Sequence, residues 1–147
     1  AARAEHPEFA GASGAMATPY EGIFVYSGED PRGRFLAALG LELPADLNEL
    51  AGDDFGATLS AEQAEYVDLD ALVWLDMPLD AEAGALTLYK ALPVHTEGRD
   101  VFLSSDDPLG GATSFVTVLS LPYLIDCLVP MLATAVDGDP ATEIQYP

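Results

Sequence analysis

The sequence predicts an α/β fold, a three-layer lobe in which a central, mostly parallel sheet is flanked by helices. Two observations carry this expectation. Segments with strand signals alternate with segments with helix signals along the chain. Ala71-Leu72-Val73-Trp74-Leu75 is apolar on both of its alternating faces, the pattern of a strand covered on both sides. With 147 residues, half of them apolar, the chain has enough material for one ordinary core and reads as a single lobe over 1–147.

Taken in order, the charged, alanine-rich start Ala1 to His6 reads as the end of a helix, and because it lacks Met the chain is expected to be a fragment. Ser13 to Thr18 and Gly22 to Tyr26 read as two short strands around Pro19-Tyr20-Glu21. Asp30 then caps a helix whose first position suits Pro31, whose apolar stripe is Phe35, Leu36 and Leu39, and which ends at Gly40. Between Leu41 and Leu59 the default is loop, with at most a turn of helix near Ala45 to Leu50. Ser60 and Gln63 fit a capping box that opens a helix to about Val67. Asp68 and Asp70 flank the start of the Ala71–Leu75 strand. Asp80 caps a helix reaching about Ala91, and Arg99 to Leu103 is another strand. Gly110 and Gly111 are placed in a loop before the longest apolar pattern, Ser120 to Val136, with Pro122 in its first turn and Gly138 as its stop. The tail beyond Pro140 is read as peripheral.

Composition excludes several function classes. Twenty-five acidic against five basic residues give a net charge of -20, which repels nucleic acid and anionic membrane surfaces. Most of those carboxylates read as a solvated face. The single cysteine, Cys127, rules out an internal disulfide or a paired-cysteine metal site, and its apolar neighbours mark it as an inert thiol. No apolar run approaches the roughly 18 residues of a membrane span.

Catalytic motifs are missing from the sequence. It contains no nucleophile elbow, no Walker A loop and no dinucleotide fingerprint. His6 and His95 sit beside Pro7 and Pro93 at segment boundaries without an evident partner. The acidic pairs, such as Asp68/Asp70 and Asp106/Asp107, lack the ligand series of a calcium loop. No catalytic residue, metal ligand or cofactor is assigned.

One arrangement opposes the acidic trend. Arg32 and Arg34, two of the five basic residues, fall in the first turn of the Asp30 helix, where cations oppose the helix dipole. A helix amino end already favours anions, so this is a positive spot suited to an anionic or carbonyl-rich ligand group. Tyr20, Phe24, Tyr26 and Ser27, just before it, supply a candidate pocket wall at strand ends. The bland alternative is an Asp30 to Arg34 pair at i,i+4 with Arg32 in solvent.

Several segments resemble the C-terminal lobe of iron-siderophore substrate-binding proteins of ABC importers, the class III, helical-backbone type. They are His6-Pro7-Glu8-Phe9; Tyr26-Ser27-Gly28-Glu29-Asp30-Pro31-Arg32-Gly33-Arg34-Phe35-Leu36; Leu59-Ser60-Ala61-Glu62 leading to Val67-Asp68-Leu69-Asp70 and Trp74; Gly98-Arg99-Asp100-Val101; and Leu119-Ser120-Leu121-Pro122. The resemblance implies two α/β lobes joined by a rigid helix, with a ferric siderophore between them. Residues 1–8 would end that helix, 1–147 would be the second lobe, and 141–147 a tail. It also implies cleft residues at Tyr20 to Ser27, Arg32, Arg34, Asp76, Met77 and Ser104 to Asp106, with Ser105 the central one. A permease partner, an extracytoplasmic location, a monomeric state and anchoring through a lipid attached before this chain follow from the same likeness. Ala37 stands where such proteins often carry a permease-docking glutamate. Two other functions compete: a small α/β enzyme using carboxylates such as Asp76 and Asp106, and an acidic lobe that docks onto a protein partner.

Overall fold

Five strands make one sheet in the order β3-β2-β1-β4-β5, in a computed structural model that describes residues 1–77 and 84–147. They are β1 Gly14–Pro19, β2 Ile23–Tyr26, β3 Gly56–Leu59, β4 Ala71–Leu75 and β5 Asp100–Leu103. β1, β4 and β5 pair in parallel, while β2 pairs antiparallel with both β1 and β3. Four strands therefore point one way and only β2 is reversed. The reversal follows from the tight turn at 20–22, which cannot supply the long crossover that a parallel neighbour needs.

The helices are α1 Ala2–Glu5, α2 Pro31–Leu39, α3 Ala45–Ala51, α4 Gly84–Lys90, α5 Pro93–Thr96, α6 Pro108–Ser114 and α7 Leu121–Asp137. Side-chain alternation on the strands sends residues into two cores, which makes the three layers. Met16, Val73 and Val101 meet Leu36, Leu39, Leu128 and Leu132 of α2 and α7 on one face. Ala17, Leu72 and Trp74 meet Leu47, Val67 and Tyr89 on the other. β4 sits centrally and is buried at every position, as its unbroken apolar run requires. The expected fold class holds.

Local chemistry explains the α2 boundaries. Asp30 accepts from the Arg32 backbone N–H at 2.9 Å, Pro31 occupies the first position, and Gly40 ends the helix in the left-handed region at φ 110°. Similarly, α7 begins with Pro122 in its first turn and stops at Gly138, φ 64°.

Five expectations need correction or bounding. Residues 41–59 hold two turns of helix, α3, and the edge strand β3, because Leu47, Ala51, Ala57 and Leu59 each find a buried place that four-residue patterns barely announce. Ala61–Val67 is a 3-10 helix rather than an α-helix, with the Ser60 N–H donating to Gln63 Oε1 at 2.9 Å. Gly110 and Gly111 lie inside α6, and Gly110 packs so tightly on the Ser104 carbonyl that a Cβ there would collide with it. The Asp80 cap lies outside the described residues. The tail touches the sheet, since the outward N–H of Phe102 on β5 donates to the Tyr146 hydroxyl at 3.0 Å. No helix among the described residues is long and apolar enough to cross a membrane.

Candidate functional site

The parallel strands end on one rim, and the loops that follow them carry most of the candidate residues. Tyr20 follows β1, Asp76 and Met77 follow β4, and Ser104 to Asp107 follow β5. Reversed β2 starts at this rim, so Phe24 lies near it, and α2 and α6 bring Arg32 and Ser114 beside it.

At the centre is a ledge built from Phe24, Tyr26 and Arg32. Phe24 and Tyr26 share one face of β2 and meet edge to face, with ring centroids 5.2 Å apart at 79°. The guanidinium of Arg32 lies over the Tyr26 ring, 4.2 Å from its centroid. Its Nη1 donates to both oxygens of Asp30, at 3.0 and 3.1 Å, and its Nη2 donates to the Ser114 carbonyl. The pair is Asp30–Arg32, replacing the alternative Asp30–Arg34 pairing, and it is three-quarters or more buried on both sides. Burial raises the Tyr26 hydroxyl pKa, and the Arg32 charge partly opposes that rise. Gly56 on β3 completes the ledge, because its missing side chain leaves the space in which the Phe24 ring lies.

The neighbouring corner is set by Asp76. Its φ of 58° is left-handed, a conformation Asp tolerates better than most residues. Its N–H donates to the Leu103 carbonyl at 2.8 Å and its Oδ1 accepts the Ser105 N–H at 2.7 Å. Asp76 and Ser105 are thus joined, both exposed. Tyr20 is 62% exposed on the β1–β2 turn, held there by positive φ at Glu21 and Gly22.

Three candidates sit elsewhere. Ser27 is buried, its hydroxyl donating to the Asp54 carbonyl at 2.6 Å and accepting the Glu29 N–H at 3.2 Å, so its Oγ is engaged in the fold. Arg34 points into solvent from α2. Met77 is half-buried against the core on the other side of the sheet.

Sequence reasoning missed the strap that leads away from the ledge. Ser114 ends α6, and the connection to α7 is pinned by Thr117 N–H to Ser120 Oγ at 2.9 Å, Ser120 N–H to Thr117 Oγ1 at 3.2 Å, and Ser120 Oγ to the Phe115 carbonyl at 3.2 Å. It holds Phe115, Val118 and Leu119 out at 77%, 83% and 92% exposure. A usable signal was present, since 108–125 carries no charge in a chain of net -20.

Both histidines have carboxylate partners, correcting the reading of them as unpartnered. His6 Nδ1 lies 2.8 Å from Glu8 Oε1. At the far end of β5, His95 Nδ1 and the Tyr89 hydroxyl converge on Asp100 Oδ2 at 2.7 and 2.6 Å, with Tyr89 edge-on to Trp74 at 5.1 Å. Burial raises the Asp100 carboxyl pKa against the lowering effect of both partners. This cluster ties α4 and α5 to β5, away from the rim. A cavity of about 400 Å³ between α2 and β1 reaches from Tyr26 and Ser27 to Gly14, Leu41 and Asn48, so it adjoins the ledge through Tyr26. Among the described residues no three His, Cys, Asp or Glu side chains gather as a metal site.

No protein-family model matches the chain and no curated protein matches it. Solved structures do. PiaA of Streptococcus pneumoniae TIGR4, an iron uptake ABC transporter substrate-binding protein solved with ferrichrome, superposes with a TM-score of 0.75 at 24% identity, over 94% of this chain and 49% of its own. This chain has the fold of one lobe of such a binding protein. FhuD2 of Staphylococcus aureus with bound ferrioxamine B matches the lobe with a TM-score of 0.72 at 16% identity, over 92% of this chain and 53% of its own. The siderophore periplasmic binding protein from the fuscachelin gene cluster of Thermobifida fusca gives 0.65 at 17%, over 93% and 48%. The lobe spans about half the length of the structures it resembles.

Proposed function

We propose that this lobe forms half of a cleft that binds a ferric siderophore or similar iron chelate for delivery to an ABC importer, at the rim carrying Phe24, Tyr26 and Arg32. The observation that carries the reading is this ledge, two aromatic rings and a guanidinium held on rigid elements at the strand ends of a binding-protein lobe. Rigid aromatic faces suit the bulky organic shell of a chelate and need little ordering on binding. The proposal places the lobe as the C-terminal one of two, with residues 1–8 ending the connecting helix, outside the cytoplasm, monomeric, lipid-anchored through a segment preceding it and facing a permease. Iron is cargo here, and no resident cofactor is involved.

The rim geometry supports binding over catalysis. Asp76 is exposed, with one carboxylate oxygen engaged by the Ser105 N–H, and Asp106 is exposed on the next turn. A carboxylate pair doing acid-base work calls for an enclosed site that perturbs it. Calorimetric titration of the full polypeptide with ferrichrome tests the proposal. Saturable one-to-one binding weakened about tenfold or more by Tyr26→Leu is expected, and the absence of binding to any ferric chelate would reject it.

A further inference from the structure

We infer that the rim selects an electroneutral or cationic ferric chelate with an apolar shell and discriminates against a strongly anionic one, the Phe115-Val118-Leu119 platform contacting that shell. This rests on the siderophore reading and adds the charge class of its ligand. The first observation is that the rim's buried cation is already neutralised. Both Asp30 oxygens, the Ser114 carbonyl and the Tyr26 face occupy Arg32, so it offers an incoming anion little uncompensated charge. The second is that carboxylates surround the ledge: Asp76, Asp106, Asp107 and Glu29 are all exposed on loops of this rim, on a molecule of net charge -20. Their summed field disfavours approach of an anion and favours a cation.

The third observation is the platform. Phe115, Val118 and Leu119 are mostly exposed within a stretch, 108–125, that has no charged residue. The Thr117–Ser120 hydrogen bonds fix the turn, and the Arg32 to Ser114 bond anchors it to the ledge. A fixed, uncharged apolar surface costs little to order, so covering it with hydrocarbon is favourable by the area removed from water. Ferric chelate chemistry divides on this criterion. Hydroxamates carry one negative charge each, so three of them neutralise ferric iron and leave hydrocarbon and amide outward. Catecholates carry two each, so three of them leave the complex with a threefold negative charge.

The test is calorimetric titration of the full polypeptide with ferrichrome, ferrioxamine B and ferric enterobactin, as neutral, cationic and trianionic probes. The neutral and cationic chelates should bind at least about tenfold tighter than the trianion at roughly 0.1 M salt. The gap should narrow as salt rises and in Asp76→Asn/Asp106→Asn. Phe115→Ser should weaken ferrichrome several-fold while leaving thermal stability unchanged. Equal or tighter binding of the trianion overturns the charge inference and leaves the siderophore reading standing. An unaffected Phe115→Ser overturns the platform's role. Failure of all three chelates to bind overturns the siderophore reading and this inference together.

Discussion

The Arg32 guanidinium lies 4.2 Å from the centre of the Tyr26 ring, held there by Asp30 and by the carbonyl that ends α6. One side chain therefore neutralises the capping carboxylate of α2, clamps an aromatic wall and anchors the connection to α7. Removing it should affect all three. Arg32→Ala leaves Asp30 buried beside an empty space, with an expected loss of about 2–4 kcal/mol of stability. Arg32→Lys should recover only part of it, because an ammonium cannot fork between Asp30 and Ser114 while lying flat on a ring. Urea denaturation of the two variants checks this, and equal stabilities would show that the fork is irrelevant.

Gly56 gives a second prediction. A methyl group there would meet the Phe24 ring, so Gly56→Ala should cost about 1–3 kcal/mol by overpacking. It should also lift the ring from its edge-on contact with Tyr26, visible as changed ring-current shifts at Tyr26 in proton spectra. Unchanged shifts would place the Phe24 orientation under some other control.

Asp100 makes stability depend on pH in a defined direction. Burial raises its folded-state carboxyl pKa above the ordinary 3.8. Its stabilising contribution is therefore fully present below about pH 3.8 and is lost as pH rises through the raised value. Asp100→Asn keeps an oxygen acceptor for the Tyr89 hydroxyl and removes the titration. The stability of the wild type minus that of Asp100→Asn should fall as pH climbs from about 3.5 towards neutrality and then level off. A difference that rises with pH would mean that His95 and Tyr89 outweigh desolvation.

The fold was legible where local and global signals agreed. Asp30, Pro31 and Gly40 bounded α2, and the unbroken apolar run 71–75 placed β4 at the centre, because capping and two-sided burial leave their marks within a few residues. β3 was missed because an edge strand four residues long, alternating Gly, Ala, Thr and Leu, differs little from a loop. Gly110 and Gly111 read as loop residues, although the tight approach of α6 to Ser104 is what requires a glycine at 110. The candidate site was legible in part. Adjacent positions on β2 and α2 placed Phe24, Tyr26 and Arg32 together. The Arg32 to Ser114 bond joins residues 82 positions apart, and His95 finds Asp100 only through the turn between α5 and β5. Such contacts are products of topology, which no local pattern encodes.

Chemical-shift mapping of the isotope-labelled protein, titrated with the gallium complex of ferrichrome as a diamagnetic stand-in for the ferric one, tests the binding rim directly. The account predicts perturbations concentrated at 20–26, 30–32, 76, 104–106 and 114–119. Perturbations confined to Gly14, Leu41 and Asn48 without Tyr26, or centred on the Asp100 cluster, would contradict it.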